Sequence, residues 1–94
     1  GQEDGELRYQ HIGRHAVELA QRIAEGFRAK GYELAIDSPT NQQFVILDDE
    51  TKERLAEHAS FGFWERTPDG RTVVRFATSW ATRPESVNEL LALL

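Results

Sequence analysis

The sequence predicts a two-layer α+β sandwich, in which a mostly antiparallel four-stranded sheet carries helices on one face. Three observations lead to this prediction. A long segment near the start has apolar residues at helical spacing, four short runs are rich in β-branched and aromatic residues, and turn-forming residues join these runs in two pairs. A second helical segment lies between the pairs and a third follows them. The predicted order is helix, strand, strand, helix, strand, strand, helix (α-β-β-α-β-β-α), in a single domain over residues 1–94.

The first predicted helix covers residues 6–30. Its apolar residues recur at a spacing of three to four and define one helical face: Ile12, Ala16, Leu19, Ala20, Ile23 and Phe27. Gly31 follows directly and can adopt the left-handed conformation that commonly ends a helix. We therefore expect an amphipathic helix that packs on the sheet and ends at Gly31.

Two short strands and a short helix are predicted next. The strands are residues 32–36 and 43–47, and the turn-forming sequence DSPTN joins them. Asp48 or Asp49 can then cap a helix that continues to about Ala59. Since few apolar residues lie on one side of this helix, we expect it to contribute little to the core.

A hairpin and a final helix complete the predicted fold. Residues 61–66 and 71–78 flank the sequence TPDG at 67–70, in which proline is preset for the first central turn position and glycine is free to adopt positive φ. The last helix is expected to begin at a capping box formed by Thr82 and Glu85. Its buried stripe consists of Val87, Leu90, Leu91 and Leu94.

The hairpin turn also predicts the faces of the sheet. With Thr67 paired to Arg71 across the turn, Phe63 is expected opposite Arg75. The face that meets the helices would then contain Gly62, Trp64, Val74 and Phe76. The other face would contain Phe61, Phe63, Val73 and Ala77 around Arg75. Because a sheet face that looks into water is usually polar, this mostly apolar second face predicts a covering domain or subunit, with the arginine directed into the crevice between them.

Arg75 carries a permanent charge within the apolar run VVRFA and therefore needs an acceptor. In the same register Glu65 lies opposite Val73, at a position diagonal to Arg75 on the same face. A partly exposed ion pair between these two side chains would satisfy the charge without any functional meaning. The spacing of the residues leaves both interpretations open, a ligand contact and a structural ion pair.

Composition excludes several classes of function. The chain has 94 residues, with 11 Lys and Arg against 16 Asp and Glu, a net charge of −5 and no basic run, so a nucleic-acid partner is not expected. It has no cysteine for thiol catalysis or a disulfide, and no apolar stretch of the roughly 20 residues that span a membrane. We expect a cytoplasmic domain, and the lack of any methionine suggests a processed chain or a fragment.

Metal binding is not expected either. His11 and His15 are four residues apart on the first predicted helix, a spacing that can place two imidazoles on one ion. No third ligand and no H-E-x-x-H arrangement accompanies them. A structural or solvated role is the expected one for both histidines.

Three segments resemble a known family. The runs GRHAVELAQRIAEGFRAKGYEL (13–34), TNQQFVIL (40–47) and VVRFATSWAT (73–82), the last followed by the helix PESVNELLALL, are similar to the C-terminal small domain of the threonine aldolase and β-eliminating lyase family. Members of this family are pyridoxal-phosphate (PLP) enzymes of the aspartate aminotransferase fold, fold type I. The resemblance covers nearly the whole chain and rests on the order of these patterns.

The resemblance implies a role for two residues. In such enzymes an arginine on a small-domain strand reaches across the crevice and binds the α-carboxylate of the amino-acid substrate, and Arg75 falls on that arginine. Asn41, in the run TNQQFVIL, is a second candidate for a crevice contact, although an asparagine after a proline turn is more often a turn residue. The family pattern departs at Ser79-Trp80, where aldolases tend to have a histidine or another polar group.

The resemblance also implies what lies outside this chain. PLP would be bound by a lysine of a large domain that is absent here, and neither Lys30 nor Lys52 has the sequence setting of that lysine. The parent would be a lyase of amino-acid metabolism, commonly a homodimer or homotetramer. It would cleave a carbon–carbon bond of a β-hydroxy amino acid to give glycine and an aldehyde, or catalyse β-elimination. The chain alone, without catalytic or cofactor-binding residues, is expected to be inactive.

A second hypothesis comes from a different class of function. The chain would be a free-standing, non-enzymatic α+β interaction or regulatory domain that dimerises through its apolar sheet face. Both hypotheses predict that this face is covered. They differ at Arg75, which would lack an internal carboxylate in the enzyme and would pair with Glu65 or a partner chain in the interaction domain.

Overall fold

The structure is a computed structural model that describes the backbone of residues 2–94 and the side chains of residues 13–94. Within this part the elements are α1 (Gln2–Ala29), β1 (Glu33–Leu34), β2 (Gln42–Leu47), α2 (Asp49–Ala56), β3 (Gly62–Arg66), β4 (Thr72–Ala77) and α3 (Pro84–Ala92). The predicted α+β class and the predicted order of elements are confirmed.

The four strands form one antiparallel sheet in the order β1-β2-β4-β3. Its centre is the pair β2 and β4, in which Val45 lies opposite Val74 and Phe44 lies opposite Arg75. Because side chains alternate between the two faces of a strand, the two valines point to one face and Phe44 and Arg75 to the other. The two faces of the sheet therefore already differ in their side chains at these central strands.

The main hydrophobic core lies between the sheet and the helices. It takes buried residues from all three described helices and from β2 and β4: Leu19, Ile23, Phe27, Val45, Leu47, Leu55, Val74, Phe76, Val87 and Leu90. Since side chains of α1, α2 and α3 join one cluster on one face of the sheet, the predicted placement of the helices on a single face is confirmed.

Helix α1 ends as the sequence predicts. Gly31 has φ of +90°, its N–H donates to Arg28 O at 2.9 Å, and the N–H of Tyr32 donates to Phe27 O at 3.0 Å. These two bonds form a Schellman motif, which satisfies carbonyls at the helix end. The rings of Phe27 and Tyr32 pack edge to face at 5.4 Å, so the motif has its usual hydrophobic contact.

Helix α2 begins at its predicted cap. Asp48 accepts a hydrogen bond of 2.7 Å from Thr51 N, and the hydrogen bonds from Thr51 lower the pKa of the Asp48 carboxyl. The helix ends at Ala56, three residues before the predicted Ala59. Leu55 holds its last turn in the core, whereas the next residues, Glu57 and His58, are exposed.

The turn between β3 and β4 is also as predicted. Thr67 N donates to Arg71 O at 2.9 Å, Gly70 N donates to Thr67 O at 3.1 Å, and Gly70 has φ of +90°. Hydrogen bonds from Thr67 and Arg71 lower the pKa of the Asp69 carboxyl. After this turn Arg66 lies opposite Thr72 and Glu65 lies opposite Val73, the second again as predicted.

Beyond this point the predicted register is wrong. A β-bulge at Trp64 lets Phe63 lie opposite Val74 and Gly62 lie opposite Arg75, whereas the sequence predicted Phe63 opposite Arg75. The extra residue exchanges the two faces of the outer half of β3. Phe61 therefore packs on Phe76 on the helix side, with ring centroids 5.1 Å apart.

The start of α3 also differs from the prediction. The N-cap is Arg83, which makes no side-chain capping bond, and Pro84 is the first helical residue. A residue before proline is pushed into extended conformation, and Arg83 has φ of −96° and ψ of 138°. The hydroxyl of Thr82 instead accepts from Ser79 N at 2.8 Å, so the predicted capping box with Glu85 does not form.

Replacement of Gly31 by alanine is expected to destabilise the chain by about 1 kcal/mol, because a Cβ is disfavoured at positive φ. Urea unfolding measures this change. Ala29→Gly, at the exposed last residue of α1, is a control in which a glycine is introduced with normal helical φ. Equal stability of Gly31→Ala and the wild type would contradict the Schellman assignment.

A second prediction concerns the contact between α1 and α3. A Cβ at Gly26 would overlap the Leu91 side chain, with Cδ1 at 2.9 Å. Gly26→Ala should therefore not give the gain of about 1 kcal/mol that alanine normally gives inside a helix. In a Leu91→Ala background the same substitution should stabilise by about 0.5–1 kcal/mol. A double-mutant cycle in urea measures the difference, and equal increments in both backgrounds would contradict the close packing.

Candidate functional site

The face of the sheet opposite the helices contains Arg75 and has an apolar centre. Phe44, Ile46 and Val73 form a second buried cluster on it, separate from the main core. Trp64 packs on Phe44 with ring centroids 4.9 Å apart and an angle of 60° between the rings. We call these five residues, Phe44, Ile46, Trp64, Val73 and Arg75, the arginine face.

The apolar character predicted for this face is thus present, but its members differ from the prediction. Because of the bulge, Trp64 and Gly62 lie on the arginine face, and Phe61 and Phe63 lie on the helix side. One sequence signal pointed to this irregularity, since a glycine within a strand often marks a bulge or a close approach. The sequence of the hairpin turn did not indicate which residue of β3 would be the extra one.

Arg75 is half-buried and lies against an aromatic ring. Its Cζ is 5.9 Å from the centroid of the Trp64 ring, within the range of a cation–π interaction. Opposite it, a Cβ at Gly62 would lie 3.6 Å from Nη2 and 3.8 Å from Nε of Arg75. The guanidinium therefore lies over the glycine, at a distance at which a Cβ would make an ordinary van der Waals contact with it.

Among the side chains of residues 13–94, Arg75 has no carboxylate within 4.0 Å. The structural alternative, an ion pair with Glu65, is not formed, and Glu65 is exposed. Arg71, which directly precedes β4, differs from Arg75 in this respect, because it lies 2.9 Å from Asp69 and 3.7 Å from Glu33. The arginine face thus has an arginine whose partner is aromatic.

Asn41, the second candidate, takes part in a strand-end contact. Its Nδ2 donates to Thr78 O at 2.7 Å, and Thr78 N donates to Asn41 O at 3.0 Å. The hydroxyl of Thr78 donates to Ala16 O in α1, so the end of β4 is tied both to β2 and to the helix. The structure does not bring Asn41 to Arg75, which pairs with Phe44 three residues further along β2.

A buried glutamine that the sequence did not single out holds the turn before β2. Gln43 is 1% exposed, and its Nε2 donates to Ser38 O at 3.0 Å. Gln21 of α1 donates to the same carbonyl at 3.1 Å. An amide in a β run resembles an exposed strand residue, but the alternation of β2 could have indicated its burial, since Gln43 shares a face with Val45 and Leu47.

The departure from the family pattern, Ser79-Trp80, lies in a hydrogen-bonded turn after β4. Thr82 N donates to Ser79 O at 3.1 Å, and His15 Nε2 donates to Thr82 O at 3.0 Å. Trp80 itself is 68% exposed. The side chain of His11, the other histidine of the predicted pair, lies outside the described residues.

Other features of the described part lie away from Arg75. A cavity of about 270 Å³ on the helix side is lined by residues that include Ile23, His58 and Phe76. Lys30 is exposed, and Lys52 lies 3.9 Å from Asp49 at the start of α2. No helix in this part of the chain is both long and apolar enough to cross a membrane.

Comparisons with known proteins find a similar architecture among solved structures. No family model matches the chain, and no curated protein matches it. Among solved structures, threonine aldolase from Leishmania major is similar, with 29% identity and a TM-score of 0.80 over 84% of this chain and 23% of that one. Serine palmitoyltransferase from Sphingomonas wittichii has 21% identity and a TM-score of 0.67 over 85% of this chain and 22% of that one.

The chain therefore has the fold of a segment of PLP enzymes of fold type I. It spans less than a quarter of the length of each of the two structures. The similarity to serine palmitoyltransferase shows the fold alone.

Removal of the Asn41 side chain should lower the stability of the chain by about 1 kcal/mol, because the bond from Nδ2 to Thr78 O is lost. Asn41→Asp should also destabilise, since a carboxylate cannot donate to the carbonyl. Gln42→Ala, at the adjacent half-buried position, is the matched control. Unfolding in urea measures all three, and an Asn41→Ala variant as stable as Gln42→Ala would contradict a role at the strand end.

Proposed function

We propose that this chain is the C-terminal small domain of a PLP-dependent lyase of the threonine aldolase type, and that Arg75 binds the α-carboxylate of the amino-acid substrate. One observation carries the proposal: a half-buried guanidinium on an apolar face has no carboxylate partner among the described side chains. The similarity to a threonine aldolase supports it, at 29% identity over 84% of the chain.

The chemistry of the guanidinium fits this role. A planar guanidinium can bind a carboxylate through two parallel hydrogen bonds, which fix the direction of the substrate as well as its position. A half-buried setting strengthens such a charge-assisted pair relative to one in water. Arg75 would thus orient the substrate so that the bond to be broken has the correct angle to the cofactor.

PLP, when bound in the parent enzyme, supplies the electron sink for cleavage next to the α-carbon. The residues of this chain do not fit a site for the cofactor, since Lys30 is solvated and Lys52 lies near Asp49 at the surface of α2. We assign cofactor binding to the rest of the parent. The reaction would be cleavage of a β-hydroxy amino acid to glycine and an aldehyde, or β-elimination, in cytoplasmic amino-acid metabolism by a homodimer or homotetramer.

Asn41 is a weaker candidate for a substrate contact. Its side-chain nitrogen already donates to Thr78 O, so its Oδ1 is the atom that could meet a ligand. The proposal rests on the arginine face and does not require a contact from Asn41.

The proposal is tested in the full-length parent. The parent should show the visible absorption of bound PLP and release glycine from L-threonine or L-allo-threonine, and the 94-residue chain alone should do neither. A colourless parent that added PLP leaves unchanged would overturn the proposal. In that case the self-association of the chain, measured by sedimentation, would test the alternative of an interaction domain that dimerises through the arginine face.

Arg75→Ala in the parent should raise KM about 100-fold and lower kcat as well, because two charge-assisted hydrogen bonds and the orientation they give are lost. Cofactor absorption should remain. Arg75→Lys should be intermediate, since an ammonium binds as a point charge. Arg71→Ala, directly before β4, is the matched control, since Arg71 already pairs with Asp69 and Glu33. An unchanged KM in Arg75→Ala would mean that Arg75 is structural.

A further inference from the structure

We propose that Trp64 is a positioning residue that holds the guanidinium of Arg75 ready to receive the substrate carboxylate. This inference rests on the proposed function of Arg75. It adds a residue on the neighbouring strand whose part in binding would be indirect, through the arginine.

The backbone places Trp64 for this contact through an irregularity. With Glu65 opposite Val73, a regular strand would place Trp64 opposite Val74 on the helix side, but that position is taken by Phe63, and Trp64 is the extra residue of the bulge. The bulge turns the indole onto the arginine face, where its ring centroid is 5.9 Å from Arg75 Cζ. Bulges commonly redirect a side chain next to a functional site.

The two neighbours of Trp64 complete the arrangement. Gly62 lies opposite Arg75 and has no side chain beside the guanidinium, which lies 3.6 Å from the position that a Cβ would occupy, an ordinary contact distance. Phe44, which is itself buried, packs against the indole at 4.9 Å and limits its rotation. The arginine thus has space on one side and a fixed aromatic ring on the other.

An aromatic partner has a chemical consequence that a carboxylate would not have. A carboxylate would accept the N–H groups of the guanidinium and neutralise its charge, and a substrate would have to displace it. The face of an indole attracts the cation through its quadrupole and accepts none of the in-plane N–H groups. Trp64 therefore stabilises the position of the charge and keeps the donors of Arg75 available for a carboxylate.

A purely structural role for Trp64 makes a different prediction. The indole is 45% exposed and also covers Phe44, so its loss could weaken the fold without any specific effect on a carboxylate. The two roles are separated by a ligand pair that differs in the carboxylate alone. Glycine and glycinamide form such a pair, because the amide has the same amino group and no negative charge.

The test uses the full-length parent loaded with PLP. Binding of glycine and of glycinamide is followed by the change in cofactor absorption, and the ratio of the two Kd values gives the preference for the carboxylate. Arg75→Ala should abolish this preference. Trp64→Leu, which keeps an apolar side chain, should weaken glycine binding about three- to fivefold and leave glycinamide binding nearly unchanged. Trp64→Phe should restore most of the loss, since phenylalanine retains an aromatic face.

Phe63→Leu is the matched control. Phe63 is the preceding residue on β3, is 66% exposed and lies opposite Val74 on the helix side, so its loss should leave the preference unchanged. If Trp64→Leu does not fold, as judged by thermal unfolding, Trp64→Phe decides the matter with an expected reduction in glycine affinity of about twofold.

The outcomes distinguish the two proposals. An Arg75→Ala parent that keeps the preference for glycine would overturn the proposed function, and this inference with it. Loss of the preference in Arg75→Ala together with an unchanged preference in Trp64→Leu or, where that variant does not fold, in Trp64→Phe would overturn this inference alone. Equal weakening of both ligands in a Trp64 variant would assign the residue a structural role and would also overturn the inference.

Discussion

The pairing of β2 with β4 is the interaction on which the rest of the structure depends. These two strands form the centre of the sheet, and their register decides which residues meet the helices. With Val45 opposite Val74, the valines enter the core and Phe44 and Arg75 share the opposite face. A slip of one residue would direct the guanidinium into the apolar core, where an unpaired charge costs several kcal/mol. The buried apolar side chains on both strands therefore specify the register strongly.

The edge of the sheet is where this regularity is broken. At β3 the pairing with β4 shifts by one residue, and this shift changes the side-chain packing on both faces of the sheet. Phe61 closes over Phe76 on the helix side, and Trp64 covers Phe44 on the other. An edge strand can accommodate such a bulge because only one of its sides is hydrogen-bonded. The same bulge also bends the strand, which makes the edge a poorer template for pairing with another chain.

Features that depend on neighbouring residues could be predicted from the sequence. The end of α1 at Gly31, the cap at Asp48 and the hairpin turn that ends at Gly70 each follow from one or two residues, and all three are as predicted. The class of the fold followed from periodicity, and the position of Arg75 on an apolar sheet face followed from the alternation of β4.

Features that depend on contacts between distant segments could not be predicted in this way. The bulge at Trp64 depends on how Phe44, on another strand, receives the indole. The amide of Gln43 has its acceptor, Ser38 O, only once the turn before β2 has folded. The predicted capping box of α3 does not form for a different reason. The hydroxyl of Thr82 accepts a hydrogen bond from Ser79 N in the preceding turn. The candidate site thus had a predictable centre, Arg75, and unpredictable surroundings.

The arginine face also limits what can cover it. A protein surface that closed over Arg75 without an acceptor would take a charged group further out of water, and its contact with Trp64 would replace only part of the lost hydration. Any surface that covers the face must therefore bring an acceptor for the N–H groups. In the function proposed above, a substrate carboxylate would bring one only when it is bound. Covering of the face would then be favoured in the presence of substrate and disfavoured in its absence, which would couple closure of a crevice to substrate binding.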